Sequence, residues 1–107
     1  MRGISEAHFQ RQVLDLARIL GWTVAHFRPA RTDAGWRTAV AADGAGYPDL
    51  TMVRDRLVIA ELKTDIGRPS LAQRDWLEKL ERAGIETYLW APRDWTAIVD
   101  TLTRRQP

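Results

Sequence analysis

A chain of 107 residues, 45% hydrophobic and 28% charged, is sized for one compact domain with a real core, and its composition excludes a long disordered tail. The absence of cysteine removes disulfide frameworks, thiolate zinc sites and cysteine nucleophiles. A net charge of +2 points only weakly to a polyanionic partner, and without an apolar run of about 20 residues or a signal-like N-terminus the expectation is a cytoplasmic protein with no membrane role.

In chain order, Ser5 is a cap for a first helix, with Glu6 in its opening turn, and Phe9, Val13, Leu16, Ala17 and Leu20 recur at helical spacing. Gly21 ends that helix, predicted over about 6–20. Trp22 to Phe27, bounded by Gly21 and Pro29, predicts a first strand. Arg28 to Tyr47 shows no sustained periodicity and reads as one long loop, of the kind that is usually functional. Leu50–Val53 and Leu57–Leu62 predict a hairpin turning at Arg54-Asp55-Arg56. Thr64 to Pro69 is a turn, and Ser70 with Gln73 carries the capping-box spacing for a second helix ending at Gly84. Ile85 to Trp90 reads as a fourth strand closed by Pro92. Asp94 is placed to cap a last helix presenting Trp95, Ile98, Val99 and Leu102. The order is αβββαβα in one domain spanning 1–107, with no internal repeat or linker.

The hairpin carries the chemistry. With its turn centred on Asp55, residues whose numbers sum to 110 lie opposite one another, so Asp49 faces Glu61. Opposed side chains in an antiparallel pair have Cβ atoms roughly 5 Å apart, and two like charges there need a compensator. A divalent cation is one. Strand alternation puts Lys63 on the same face as Glu61, so two carboxylates and an ammonium converge at one end of the hairpin. Magnesium takes oxygen ligands, typically one or two carboxylates plus substrate phosphate, so the set suits hydrolysis of a phosphodiester.

Tyr47-Pro48-Asp49 followed by Glu61-Leu62-Lys63 resembles the PD-(D/E)xK nuclease signature. The surrounding Ser5-Glu6, Phe9-Gln10, Gly46-Tyr47-Pro48-Asp49-Leu50, Gly67 to Gln73, Trp76-Leu77 and Ala83-Gly84 narrow the resemblance to its virus-type replication-repair branch, the VRR-Nuc domain, from Ser5 to about Trp95. That resemblance implies an α/β, restriction-endonuclease-like αβββαβ core with a mixed central sheet flanked by helices. It further implies Mg2+- or Mn2+-dependent cleavage of DNA, branched DNA of the kind met in repair and recombination, by a homodimer with no organic cofactor. Asp49 and Glu61 match the metal ligands, the Leu62 carbonyl a third, Lys63 the catalytic lysine, and Glu6 and Gln73 two supporting helical positions. A phage-encoded chain of this kind would work in the host cytoplasm. The segment Arg28 to Gly46 is longer than the family's usual connection.

Plainer readings stand beside these. Asp49 can simply cap a turn, Glu61 and Lys63 can be a solvated pair, Gln73 can serve the capping box alone and Glu6 the helix dipole. His26 is more naturally a structural hydrogen bonder than a general base. Arg28, Arg31, Arg37 and Arg68 are the candidate phosphate contacts, and Trp36 in the loop is the candidate stacking residue. Tyr47 is a weaker stacking candidate, and Trp76, at helical spacing, reads as core. Arg54, Arg56 and Arg74 extend the possible basic face. A non-catalytic DNA-binding subunit or inhibitor, and an RNA-processing nuclease, are the rival functions; a binding role has no use for a carboxylate pair that repels phosphate, whereas phosphate chemistry alone does not separate DNA from RNA.

Overall fold

The computed structural model describes residues 3–27, 30–32, 35–37 and 41–106. Helix α1 runs Glu6–Ile19, capped by Ser5, whose hydroxyl accepts the His8 N–H at 3.1 Å. Its buried residues are Phe9, Val13 and Ala17, one every fourth position, so a single narrow stripe faces inward. Gly21, at φ +90, ends it: the Gly21 N–H reaches back to the Arg18 carbonyl and the Trp22 N–H to the Ala17 carbonyl, a pairing that requires the left-handed residue in between.

Strand β1 is Thr23–His26. The segment read as one loop holds a small hairpin instead, β2 (Ala30–Thr32) against β3 (Gly35–Arg37). Strands of three residues are too short to display a period of two, which is why no alternation announces them. Strands β4 (Leu50–Val53) and β5 (Leu57–Leu62) follow with the expected bounds. Helix α2 spans Leu71–Arg82, β6 spans Glu86–Trp90, and α3 spans Trp95–Thr103. Both halves of the capping box form at α2: the Gln73 N–H donates to Ser70 Oγ at 3.2 Å, and the Ser70 N–H to Gln73 Oε1 at 2.8 Å. Asp94 acts differently from expectation. Its carboxylate accepts the Ala91 N–H at 2.9 Å and closes the 3-10 turn Pro92–Asp94, and it makes no side-chain cap on α3. Pro92, two residues beyond the end of β6, favours a tight turn at that point, and this turn takes up the carboxylate.

The main sheet has the order β1-β4-β5-β6, antiparallel except for the parallel β5–β6 pair that α2 connects. One face carries Leu50, Met52, Val58, Ala60, Leu62 and Trp90 against α1, α3 and Trp22, and this is the core. Helix α2 belongs to the other face and has no fully buried residue.

At the β4–β5 turn the paired arginines face neither solvent nor a site. Arg54 donates to the carbonyls of Leu20 (3.1 Å), Leu102 (3.0 Å) and Arg104 (2.7 Å), while Arg56 donates to Thr101 (2.6 Å) and Arg104 (2.5 Å) and pairs with Glu86 at 2.8 Å. Both guanidiniums lie over Trp22, at 4.6 and 5.2 Å from its ring centroid, and the Trp22 indole N–H donates to the Leu102 carbonyl at 2.9 Å. The last carbonyls of α1 and α3 lack partners within their helices, and the arginine forks supply them. This removes Arg54 and Arg56 from any nucleic-acid face: their donors are spent on the protein. Arg54→Ala is expected to lower stability by about 2–3 kcal/mol, the cost of stranding carbonyls that a charged donor held. Urea melts of the two proteins measure it, and a difference below about 0.5 kcal/mol would show the clamp to be incidental.

Candidate active site

The approach to Asp49 is built by a glycine and a proline. Gly46 has φ +86, and a Cβ there would lie 2.7 Å from the Ala72 backbone carbon, so only glycine lets this loop press against the first turn of α2. Pro48 is buried and has no N–H to strand. Asp49 then enters the sheet, its carbonyl accepting the Phe27 N–H at 2.9 Å.

The register is the one expected: Leu50 pairs with Ala60 and Thr51 with Ile59, which sets Asp49 opposite Glu61. The two carboxylates hold each other's strands. Asp49 Oδ2 accepts the Leu62 N–H at 2.9 Å, and Glu61 Oε1 accepts the Asp49 N–H at 3.2 Å. Lys63 Nζ is 3.3 Å from Glu61 Oε2, and the Lys63 backbone N–H donates to the Trp90 carbonyl at 2.9 Å. Glu61 is only 1% exposed, and its Oε2 is buried with that ion pair but without a hydrogen bond. Burial first, and the negative charge of Asp49 second, push the Glu61 carboxyl up to about 7. Asp49 is also raised, by burial, against the lowering effects of the Leu62 N–H and the Lys63 charge.

A buried carboxylate oxygen with spare lone pairs, beside a second carboxylate and under-compensated by one ammonium, is a donor set for a hard divalent cation. Among the described residues no group of three or more His, Cys, Asp or Glu side chains gathers. Two carboxylates match magnesium, which draws its remaining ligands from water and substrate oxygens.

Of the other residues singled out from sequence, Gln73 is committed to the capping box and Glu6 is exposed in the first turn of α1, without a contact that joins either to the trio. Arg68 is exposed after the Lys63–Gly67 turn and lines a groove of about 440 Å³ with Arg74, Leu77, Leu89 and Arg93. Arg28, and the side chains of Arg31, Trp36 and Arg37, lie outside the described residues; the backbone register pairs Arg31 with Trp36 across β2–β3. Trp76 is not core. It is half-buried, its indole N–H donates to the Asp43 carbonyl at 3.0 Å, and its ring meets Tyr47 edge-on at 5.1 Å. Helical spacing identifies the inward face of α2, but the neighbour on that face is the Gly46 loop. Phe27, whose ring meets Tyr47, carries no sequence signal beyond its place directly after β1.

The fold is α/β and restriction-endonuclease-like: a mixed four-stranded sheet with helices on both faces. It is also the fold of a solved structure described as a "VRR_NUC domain protein", which matches 94% of this chain and 87% of its own with a TM-score of 0.67 at 19% sequence identity. No family model and no curated protein matches the sequence. No helix among the described residues is long and apolar enough to cross a membrane.

The raised Glu61 pKa fixes a pH dependence. A carboxyl at about 7 in the folded protein and near 4.5 unfolded holds its proton more tightly when folded, so its contribution is fully present below pH 4.5 and is lost as pH rises through 7. In EDTA the protein should lose on the order of 2 kcal/mol between pH 5 and 8. Asp49→Asn removes the facing charge and should shrink that loss. Saturating Mg2+ or Mn2+ should restore stability to the wild type by mass action, and much less to the variant. Thermal melts across this pH range decide it; a pH-independent wild type, or equal metal stabilisation of both proteins, contradicts the assignment.

Proposed function

We propose that this chain is a metal-dependent DNA nuclease of the VRR-Nuc kind, hydrolysing phosphodiester bonds at Asp49, Glu61 and Lys63. The observation that carries the proposal is the pair of opposed carboxylates, Glu61 buried and Asp49 half-buried, with the Lys63 ammonium 3.3 Å from Glu61. Asp49 and Glu61 would hold Mg2+ or Mn2+, with the Leu62 carbonyl as a third ligand. The ion supplies Lewis acidity and positive charge at the scissile phosphate. The chain's own part is positioning. The Leu62 N–H fixes the Asp49 carboxylate and the Asp49 N–H fixes Glu61, so neither rotates away when substrate arrives. Lys63, fixed at its backbone by Trp90, aims its ammonium at the phosphate and stabilises the negative charge that grows there.

Around this centre, Glu6 and Gln73 act as supporting positions, Arg28, Arg31, Arg37 and Arg68 contact phosphates, and Trp36 stacks on a base. The substrate is branched DNA, and a homodimer presents two such centres to it. The fold shared with a "VRR_NUC domain protein" supports a nuclease-type domain.

The decisive assay offers Mg2+ or Mn2+ and junction, flap, duplex, single-stranded and RNA substrates of one sequence. Asp49→Asn, Glu61→Gln and Lys63→Ala should each reduce cleavage at least a hundredfold (~10², the order of one lost transition-state contact) and leave the fold intact. Undiminished cutting in excess EDTA would refute the metal-dependent reading. For Gln73, Gln73→Glu keeps the capping box and hence stability. Cleavage that falls with unchanged melting places Gln73 in the site, and cleavage that stays level leaves it a cap.

A further inference from the structure

Three aromatic rings stand in a row beside Asp49. Trp76 is anchored by its hydrogen bond to the Asp43 carbonyl. Its ring meets Tyr47 at 5.1 Å and 80°, and Tyr47 meets Phe27 at 5.6 Å and 88°. The Tyr47 hydroxyl is 3.1 Å from Thr51 Oγ1, which fixes the middle ring from its far end. Edge-to-face contacts at these separations are the favoured geometry for aromatic pairs, so each ring sets the orientation of the next.

The row ends at Phe27, which is 48% exposed. A single exposed phenylalanine is ordinary on a protein surface. This one is braced by two rings behind it, and its backbone N–H donates to the carbonyl of Asp49 at 2.9 Å. It is therefore a pre-set apolar surface directly across the strand pair from Asp49, a carboxylate proposed above to hold the metal. Tyr47 and Trp76 use their rings inside the row, which leaves Phe27 to face outward.

Resting on the nuclease reading above, we propose that Phe27 stacks on an unpaired base of the nucleotide adjoining the phosphate held at Asp49, Glu61 and Lys63, and so favours DNA with an unpaired nucleotide at the cleavage point. In continuous duplex both faces of each base are covered by its neighbours, so the ring gains nothing there. An unpaired base has a free π-face, and stacking on an aromatic side chain is tolerant of sequence. The selection is then for DNA structure, and the phosphate chemistry at the trio is the same for either substrate.

The experiment uses a flap and a duplex of the same sequence. In the inactive Asp49→Asn chain, 2-aminopurine placed in turn along the flap arm next to the branch should lose emission at one or two adjoining positions on binding. Adding Phe27→Leu should abolish that quenching, and Phe27→Tyr should retain it. In the active chain, the flap-to-duplex ratio of kcat/KM should fall about tenfold for Phe27→Leu and return for Phe27→Tyr. If the wild type cuts both substrates while Phe27→Leu leaves ratio and quenching unchanged, the stacking inference alone is overturned. A wild type that cuts neither substrate with either metal overturns the nuclease reading and this inference with it.

Discussion

Everything at the site depends on strand β5 being buried on both faces. Val58, Ala60 and Leu62 face α1 and α3, while Ile59 and Glu61 face the other way, and each is at most 3% exposed. A carboxylate in such a strand is expensive unless it is held and compensated. Glu61 is held by one backbone N–H and partly compensated by one ammonium, and it faces a second carboxylate. Burial first, and the facing Asp49 charge second, raise its pKa, and one of its oxygens is left without a hydrogen bond. A fold built only for stability would fill that position with an aliphatic side chain. Residual electrostatic strain at a point fixed by the sheet is a common mark of a working site.

The β4–β5 hairpin divides its two ends between different tasks. At the turn, Arg54 and Arg56 tie the ends of α1 and α3 together over Trp22, so that the strand register has no freedom to slip. Asp55 completes that end, paired with Arg54 and accepting the Gln106 N–H. Five residues from Arg54, roughly 17 Å along an extended strand, Asp49 meets Glu61. A slip of one residue would turn every side chain to the opposite face and separate the carboxylates, so the arginine clamp at one end preserves the geometry at the other.

Helix α2 shows how the same residues serve structure and site together. It buries little, yet its first turn receives the Gly46 loop and its Trp76 ring supports Tyr47. The loop that delivers Asp49 is thus braced by a helix whose start is set by its capping box and which lies against β6. Gln73 belongs to that bracing, whatever further part it has in chemistry.

The sequence alone determined the long elements and the site's register, while the β2–β3 hairpin, with strands of three residues, left no periodic trace in it. Hydrophobic spacing marked α1, Ser70 and Gln73 marked the start of α2, and Arg54-Asp55-Arg56 between two apolar runs set the turn, after which the period of two brought Asp49 to Glu61 and Lys63 without further information. These are short-range consequences of backbone geometry, and they survive any packing that keeps the hairpin. What the tertiary structure decided is where polar side chains spend their donors and which rings meet. Arg54 and Arg56 looked like surface charge until the ends of α1 and α3 came within reach. Trp76 read as core until the Gly46 loop lay against it, and Asp94 read as a cap on α3 until the chain turned tightly at Pro92. Each depends on a partner distant in sequence or on a turn one residue tighter than the helix it precedes, and periodicity along a single segment carries no record of either.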